Sequence, residues 1–223
     1  MHIFWICQYW DDTMSDQKRQ YRMKRRAEQE AETRERITES AVALHGSLGP
    51  AQTSVSAIAD RAGVQRSTVY RHFPDEEALF GACSRHWAER NPPPNIDRWA
   101  EIGDPEERLS IALEELYGYY RRTGGMIEKL LRDEAAVPVV AELFAPFHQL
   151  LELAADTLMQ GRGLRGGARA RVRAALGHAV AFSTWQELTG PQGLDDEGAA
   201  QLMHRLVAAA QIFEAAAALL EGP

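Results

Sequence analysis

Residues 53–73, TSVSAIADRAGVQRSTVYRHF, predict two short helices joined by a tight turn. The apolar residues of the first helix recur at steps of three and four residues and therefore share one buried face. They are Val55, Ile58, Ala59 and Ala62. Gly63 follows where a turn needs a positive φ or a close approach of two helices. The spacing therefore predicts a buried helix that ends at this glycine.

The second helix of the pair is polar for its length. Val64 and Val69 supply its buried side, and Tyr70 and Phe73 close it. Its outward side chains can all form hydrogen bonds: Gln65, Arg66, Ser67, Thr68, Arg71 and His72. An α-helix fits the major groove of DNA, where Arg bonds guanine edges and Gln bonds adenine edges. The pattern favours DNA recognition, with Ser54 and Tyr70 as further contacts, over a solvated helix in an ordinary bundle.

A longer segment, IADRAGVQRSTVYRHFPDEEALF at residues 58–80, resembles the TetR family of bacterial transcription regulators. The preceding ETRERITESAVALHGSLG, residues 32–49, is similar to the first helix of that family. The turn glycine, the tyrosine and the phenylalanine of the motif are all in register. The resemblance implies a DNA-binding helix-turn-helix, a homodimer, and a helical domain that encloses a small-molecule effector pocket.

Three positions depart from the family pattern. Gln65 stands where the family usually has Ser or a similar capping residue, which predicts a less well capped recognition helix. Ser67 replaces the usual glycine and adds a hydroxyl near the DNA. Glu76 stands where a lysine usually opens the next helix, so a charged phosphate contact is not expected there.

Composition places the chain among ordinary globular proteins, with 45% hydrophobic and 26% charged residues. Cys7 and Cys83 form neither a metal-ligand spacing nor a disulfide framework, which favours a reducing cytoplasm. No apolar run approaches the roughly 20 residues that span a bilayer. The net charge of −7 is unevenly placed: residues 1–90 hold 13 basic and 13 acidic side chains, and residues 91–223 hold 12 and 19. The acidic total is therefore no objection to an N-terminal half that meets DNA.

The N-terminus carries an apolar segment and then a basic arm. MHIFWICQYW lacks the features of a secretory signal, so we expect either that translation starts at Met14 or that this segment is a small hydrophobic anchor. The basic residues of the arm are Lys18, Arg19, Arg22, Lys24, Arg25 and Arg26. The arm is either a solvated tail or, as we favour, a DNA contact through Arg25 and Arg26 that tracks phosphates or enters the minor groove. A helix is predicted to begin near Glu28.

The Gly, Pro and helix-capping residues along the chain predict an all-α fold with two domains. We expect an N-terminal extension at residues 1–29, a three-helix helix-turn-helix domain at residues 30–91 and a ligand-binding and dimerisation domain at residues 95–223. The Pro-rich residues 91–94 separate the two domains. Within the second domain we predict that one helix ends at Gly124 and that another runs unbroken over residues 168–188.

Two helices of the second domain predict a dimer. In the last helix a heptad pattern places apolar residues at Leu202, Leu206, Ala209, Phe213, Ala216 and Leu220. The preceding helix repeats these steps at Val172 and Ala179. Either pattern could be buried within one chain. We favour a four-helix interface with a second copy, because one recognition helix reads too few bases and a two-fold dimer pairs half-sites.

The second domain also holds candidate effector residues, which combine apolar surface with polar tips. These are Trp99, Tyr117, Tyr120, Phe147, His148, His178, Phe182 and Trp185. No HExxH, GxSxG or phosphate-loop motif is present, so we predict no catalysis, no cofactor and no metal. The sequence predicts a homodimeric repressor that binds a palindromic operator and is released by a small molecule. The alternative is a helical ligand-binding or enzyme domain whose helix-turn-helix is only structural.

Overall fold

The computed structural model describes the backbone of residues 3–220 and the side chains of residues 17–211. Within this part of the chain every regular element is helical, which confirms the all-α prediction. The α-helices are α1 Ile3–Ser47, α2 Val55–Ala62, α3 Arg66–His72, α4 Glu76–Arg90, α5 Ile96–Ala100, α6 Pro105–Asp133, α7 Pro138–Met159, α8 Gly166–Val180, α9 Phe182–Thr189 and α10 Asp196–Leu220. A 3-10 turn at Pro50–Gln52 joins α1 to α2. Among the described residues, no helix is long and apolar enough to span a bilayer.

The chain divides into two compact units. Unit 1 comprises Met1–Leu44 and Thr53–His86, and unit 2 comprises His45–Gln52 and Trp87–Pro223. The core of unit 1 joins α1, α2, α3 and α4 through small and branched side chains. Its buried residues are Ile37, Ala41, Ile58, Ala59, Ala62, Val69, Phe73, Leu79, Ala82 and Cys83. The α2 and α3 residues in this core are those whose spacing predicted burial.

Helix α1 is much longer than the sequence predicted. It does not begin near Glu28 but runs without interruption from Ile3 to Ser47. The expected helix start was wrong because no Gly or Pro precedes Gly46, so nothing in the basic arm stops the helix. Two ion pairs stabilise this part of the helix, and each joins residues one helical turn apart. They are Lys24 with Glu28 at 4.0 Å and Arg26 with Glu30 at 3.3 Å.

Unit 2 corrects two further helix boundaries. Gly124 lies inside α6 and does not end it; a Cβ at this glycine would lie 3.1 Å from the ring of Trp185, so the glycine serves close helix packing. The helix predicted over residues 168–188 is divided at Ala181, whose ψ of 133° is extended. The hydroxyl of Tyr117 donates to the carbonyl of Ala179 at 2.9 Å, and that of Tyr120 to the carbonyl of Val180 at 2.6 Å. The two hydroxyls thus bond carbonyls at the break between α8 and α9. This removes much of the energetic cost of leaving buried carbonyls without a hydrogen bond.

The short segment His45–Gln52 is part of unit 2, although it lies between two segments of unit 1 in the sequence. The buried carboxylate of Asp133 accepts a hydrogen bond of 2.9 Å from the backbone N–H of Ala51. The neighbouring Arg132 donates to the carbonyl of Leu48 at 2.8 Å. The end of α6 therefore holds the segment His45–Gln52 within unit 2.

Candidate nucleic-acid interface

The turn between α2 and α3 has the geometry that its residues predict. Ser54 caps α2, and its hydroxyl accepts a hydrogen bond of 3.1 Å from the backbone N–H of Ala57. Gly63 has a φ of 64°, a left-handed conformation that L side chains rarely adopt. The turn therefore requires glycine for its backbone conformation. Ser54 is exposed, and its hydroxyl is already used in the cap.

Helix α3 presents most of its predicted DNA contacts to solvent. Val69 is 1% exposed and fixes the helix to the core. Gln65 makes no side-chain cap hydrogen bond, as its departure from the family pattern predicts. The exposed side chains are Gln65, Arg66, Ser67, Tyr70 and Arg71, whereas Thr68 and His72 are half-buried. Tyr70 is 44% exposed, so it does not close the buried side of α3 as predicted. The exposed side of α3 is therefore polar, and an α-helix is of a size that fits the major groove.

Arg66 and Tyr70 form a pair along the exposed face of α3. The guanidinium Nη2 donates a hydrogen bond of 3.1 Å to the Tyr70 hydroxyl and its carbon lies 5.5 Å from the ring centroid. The two residues are one helical turn apart, which is the spacing that allows such contact. The pair holds the guanidinium over α3, and a base edge must compete with the tyrosine for it.

Arg34 of α1 is a contributor that sequence reasoning missed. Its Nη1 donates a hydrogen bond of 2.5 Å to the carbonyl of His72, the last residue of α3. Its guanidinium also lies 4.1 Å from the centroid of the Phe73 ring. A cation is favourable at a helix C-terminus, where unpaired carbonyls concentrate negative charge. No local pattern distinguishes Arg34 from the other charged residues of α1, since its partner lies 38 residues away.

His72 differs from the other α3 candidates in its surroundings. Its Nε2 is shielded from solvent and has no hydrogen-bond partner among the described residues. Burial lowers the pKa of the imidazole below its usual range, and the charges of Arg71 and Arg34 lower it further. The ring is therefore neutral at neutral pH and offers no positive charge to a phosphate.

The basic arm is helical and exposed. Every residue from 17 to 32 is open to solvent, including Arg25 and Arg26. Arg26 shares its charge with Glu30 through the ion pair on α1, whereas Arg25 has no carboxylate partner among the described residues. The predictions about the first ten residues and Met14 concern side chains that lie outside the described part of the chain.

The predicted effector residues of unit 2 lie in and around a packed aromatic cluster. Tyr117 and Tyr120 are 0% exposed, and the Tyr120 ring meets the Phe182 ring edge-on at 5.3 Å. Trp99 is also buried, and its indole N–H donates to Glu115 at 2.7 Å. These hydroxyl and indole groups are already bonded within the chain. A ligand among them requires side-chain rearrangement.

The remaining effector candidates lie nearer the surface. Phe147 is half-buried and stacks on Phe144 at 4.7 Å. His148 pairs with Glu134 at 2.9 Å. The exposed His178 contacts the Thr184 hydroxyl at 3.1 Å. The polar groups of the predicted effector residues therefore lie in different parts of unit 2 and do not face one common site.

An open groove of about 830 Å³ lies between α6 and α10. Its lining includes Glu114, Asp196, Gln201 and Arg205 and none of the predicted effector residues. Trp185 is linked to the groove through the lining residue Asp196, which accepts a hydrogen bond of 2.9 Å from the indole N–H. The groove is large enough for a small molecule. No local sequence pattern indicated it, because its lining comes from two helices that are distant in the sequence.

The two predicted dimer helices have different exposure. Val172 and Ala179 of α8 are 0% exposed in the single chain, so they fill the core of unit 2 and cannot form a dimer surface. That half of the interface prediction is corrected. On α10, Leu202 is 38% exposed, Leu206 is 47% exposed and Ala209 is also exposed. The side chains of Phe213 and Leu220 lie outside the described residues. We call Leu202, Leu206 and Ala209 the α10 seam.

No cluster of three potential metal ligands occurs within the residues whose side chains are described. The thiol of Cys83 is buried in unit 1, and burial raises its pKa to about 12. A thiol with so high a pKa is protonated and unreactive at neutral pH. It therefore acts as a small core residue.

Comparison with known proteins agrees with the geometry of unit 1. Residues 37–83 match the family described as "Bacterial regulatory proteins, tetR family". The HTH-type transcriptional regulator AcrR of Shigella flexneri is 44% identical over 59 residues, which are 26% of this chain and 27% of that protein. The match thus spans about a quarter of the curated relative. The family match confirms the resemblance for residues 37–83.

Similarity to solved structures extends over most of the chain. A TetR-like transcriptional regulator from Rhodococcus sp. RHA1 has a TM-score of 0.56 and 22% identity, with 79% of this chain and 94% of that one covered. A tetR-family transcriptional regulator from Streptomyces coelicolor has a TM-score of 0.54 and 20% identity, with 86% and 84% covered. At these identities the similarity concerns the fold.

Proposed function

From the premise that residues 37–83 form a TetR-family DNA-binding domain, we propose that this chain regulates transcription by binding a specific DNA operator through α3. The observation that carries the proposal is the outward polar face of α3 on a helix fixed by the buried Val69. A short helix fits the major groove, and a rigid anchor holds its side chains at constant depth.

The roles of individual residues follow from their exposure and chemistry. Arg66 is the strongest candidate for a bidentate bond to guanine, and Gln65 suits adenine. Ser67, Thr68 and the Arg71 side chain provide further bonds to bases or phosphates. Ser54 caps α2 and lies at the start of this helix, where helix amides favour an anion. His72, which is neutral, contributes a donor or acceptor but no charge.

We place the dimer interface on α10. Leu202 and Leu206 are large apolar side chains that the single chain leaves exposed, and their burial against a second copy is favourable by about 25 cal/mol per Å². Two copies related by a two-fold axis present two recognition helices, which then read half-sites of a palindrome about one helical turn apart, ~34 Å. Exposure of the α10 seam supports this arrangement.

The regulator acts, in this proposal, as a repressor that a small molecule releases. The groove between α6 and α10 supports a ligand site in unit 2, next to the aromatic cluster that includes Trp185. A ligand that prefers one arrangement of the dimer by a few kcal/mol shifts the population toward a spacing of recognition helices that no longer fits the operator.

Retention of genomic DNA fragments by the immobilised full-length protein tests the proposal. Fragments from its own genome are recovered, and the strongest is footprinted. A protected site with two-fold symmetry is expected. The double variant Arg66→Ala/Arg71→Ala is the matched control, because both side chains are exposed and their loss leaves the core intact. Equal retention of all fragments, or equal retention by the variant, would favour a helical ligand-binding or enzyme domain instead.

A further inference from the structure

Helix α1 contacts the end of the recognition helix at Arg34, and the basic arm lies N-terminal to this contact. The bond from Arg34 to the carbonyl of His72 fixes this point of α1 against the end of α3. Toward the N-terminus from there, α1 continues as an uninterrupted helix, and residues 17–32 are all exposed. The arm is therefore an exposed part of α1 that extends N-terminally from the contact between Arg34 and the end of α3.

Charge is arranged on this helix in a regular way. Residues 17–27 hold six basic side chains and no acidic one. Lys24 and Arg26 have ion-pair partners one turn along the helix, at Glu28 and Glu30. In contrast, Lys18, Arg22 and Arg25 have no carboxylate partner among the described residues. Their i, i+4, i+7 spacing places them on one face of the helix. We call Lys18, Arg22 and Arg25 the basic stripe.

We propose that the basic stripe binds phosphates of the DNA that flanks the half-site read by α3, and that it does so as a preformed helix. This inference rests on the proposed DNA-binding function and adds a contact outside the recognition sequence. Charge complementarity supports the choice of DNA: three unpaired cations in a row match a phosphate backbone, which carries a negative charge about every 3.4 Å along each strand.

A basic arm could either enter the minor groove or lie along the phosphates, and the width of the helix decides between these two modes. An α-helix with its side chains is about 10–12 Å across, whereas the minor groove of B-DNA is about 6 Å wide. A continuous helix therefore cannot enter the minor groove as an extended peptide can. It can lie along the phosphates, and its long side chains then reach the backbone while the helix remains intact.

The length of the arm sets how much flanking DNA it can reach. Lys18 lies sixteen positions before Arg34, and at 1.5 Å per residue this is about 24 Å of helix. The same distance along DNA is about seven base pairs at 3.4 Å each. Three phosphate contacts add about 2.7 to the magnitude of the salt slope, which is roughly a 40-fold extra loss of affinity between 50 and 200 mM salt.

The test compares two duplexes from a genomic fragment that the protein retains. One is trimmed to the bases whose substitution weakens binding, and the other extends about ten base pairs further on each side. We expect the full-length protein to bind the extended duplex more tightly and with a steeper salt slope. On the extended duplex, Arg22→Gln should lower the slope by about 1 per protomer. Lys24→Gln removes the same charge from a paired position on another face and should leave the slope unchanged.

A second variant separates helical structure from charge. Ala27→Pro keeps every charge but interrupts the exposed part of α1. We expect it to bind the trimmed duplex like the wild type and to lose the benefit of the flanks; Ala27→Ser should retain that benefit. If the flanks give no advantage to the wild type, or if Ala27→Pro keeps the full advantage, the inference is wrong. Specific binding to the trimmed duplex would still support the proposed function, whereas binding to neither duplex would remove both.

Discussion

Arg34 bonds the carbonyl of His72, so a side chain of α1 terminates the recognition helix. The contact closes the C-terminus of α3, and the Phe73 ring beneath the guanidinium adds a cation–π interaction. The orientation of α3 is thus set from its end as well as from its buried face. This explains how a helix of seven residues, with no side-chain cap at its start, keeps a fixed direction.

Replacement of Arg34 should destabilise unit 1. We expect Arg34→Ala to lower the free energy of unfolding by about 1–2 kcal/mol, because a charge-assisted hydrogen bond and an exposed cation–π contact are lost. Operator affinity should also fall. Urea unfolding followed by circular dichroism measures the first effect. Arg36→Ala removes another exposed charge two residues away and should cost less than about 0.5 kcal/mol. An equal loss of stability in the two variants would show that the contacts of Arg34 with His72 and Phe73 do not stabilise unit 1.

Arg66→Ala should relax base preference in the operator. The loss of one bidentate contact costs about 1–3 kcal/mol at its base pair and little elsewhere in the site. Binding to a panel of operators, each with one base pair changed, measures this. Arg61→Ala is the control, since Arg61 is an exposed cation on α2 and not on the recognition helix. An unchanged preference in Arg66→Ala would assign the arginine to the phosphate backbone or to Tyr70 alone.

Charge on the α10 seam should separate the dimer. Leu206→Glu with Ala209→Glu places two carboxylates on the proposed interface, and sedimentation should then show monomers. Because paired half-sites gain from linkage, operator affinity should fall by about 100-fold or more. The control Ala141→Glu adds a carboxylate to an exposed position of α7 and should remain dimeric. A dimer that survives both seam substitutions must use another surface.

Acid should destabilise unit 2 through His45. Burial lowers the pKa of this imidazole to about 4, from the 6.5 expected in the unfolded chain. Below pH 6.5 the unfolded state therefore binds a proton that the folded state does not, so stability falls as the pH drops toward 4, by up to about 3 kcal/mol. Above pH 6.5 the group is neutral in both states and has no effect.

Unfolding by urea between pH 7 and pH 4 measures this dependence. In His45→Gln, which keeps a polar side chain of similar size, the decline should be shallower by the His45 contribution, whatever the variant's stability at pH 7. The lowered pKa of His72 leaves some acid sensitivity in both proteins. Parallel curves for wild type and variant would show that His45 is not protonated differently in the two states.

Local patterns predicted what depends on neighbours in the sequence. The apolar spacing of α2, the positive φ of Gly63 and the polar face of α3 were all readable, because each follows from helix periodicity or from the freedom of one glycine. The start of α1 was misplaced for a related reason. A basic composition suggested a tail, although the residues themselves have no helix breaker before Gly46.

Partners distant in the sequence decided the rest. Val172 and Ala179 have the spacing of a dimer helix, yet neighbouring helices of the same chain cover them completely. A heptad pattern shows that a face will be buried, but not which surface buries it.

The sequence by itself determined that this chain is all-α, that it contains the two-helix DNA-reading element, and that Gln65, Arg66, Ser67 and Arg71 of that element face outward. Only the tertiary structure decided where α8 ends and what holds the end of α3. Tyr117 and Tyr120 reach carbonyls 62 and 60 residues away, and Arg34 reaches one 38 residues away. Hydrogen bonds of this kind form only after packing brings the groups together, so helical periodicity does not predict them.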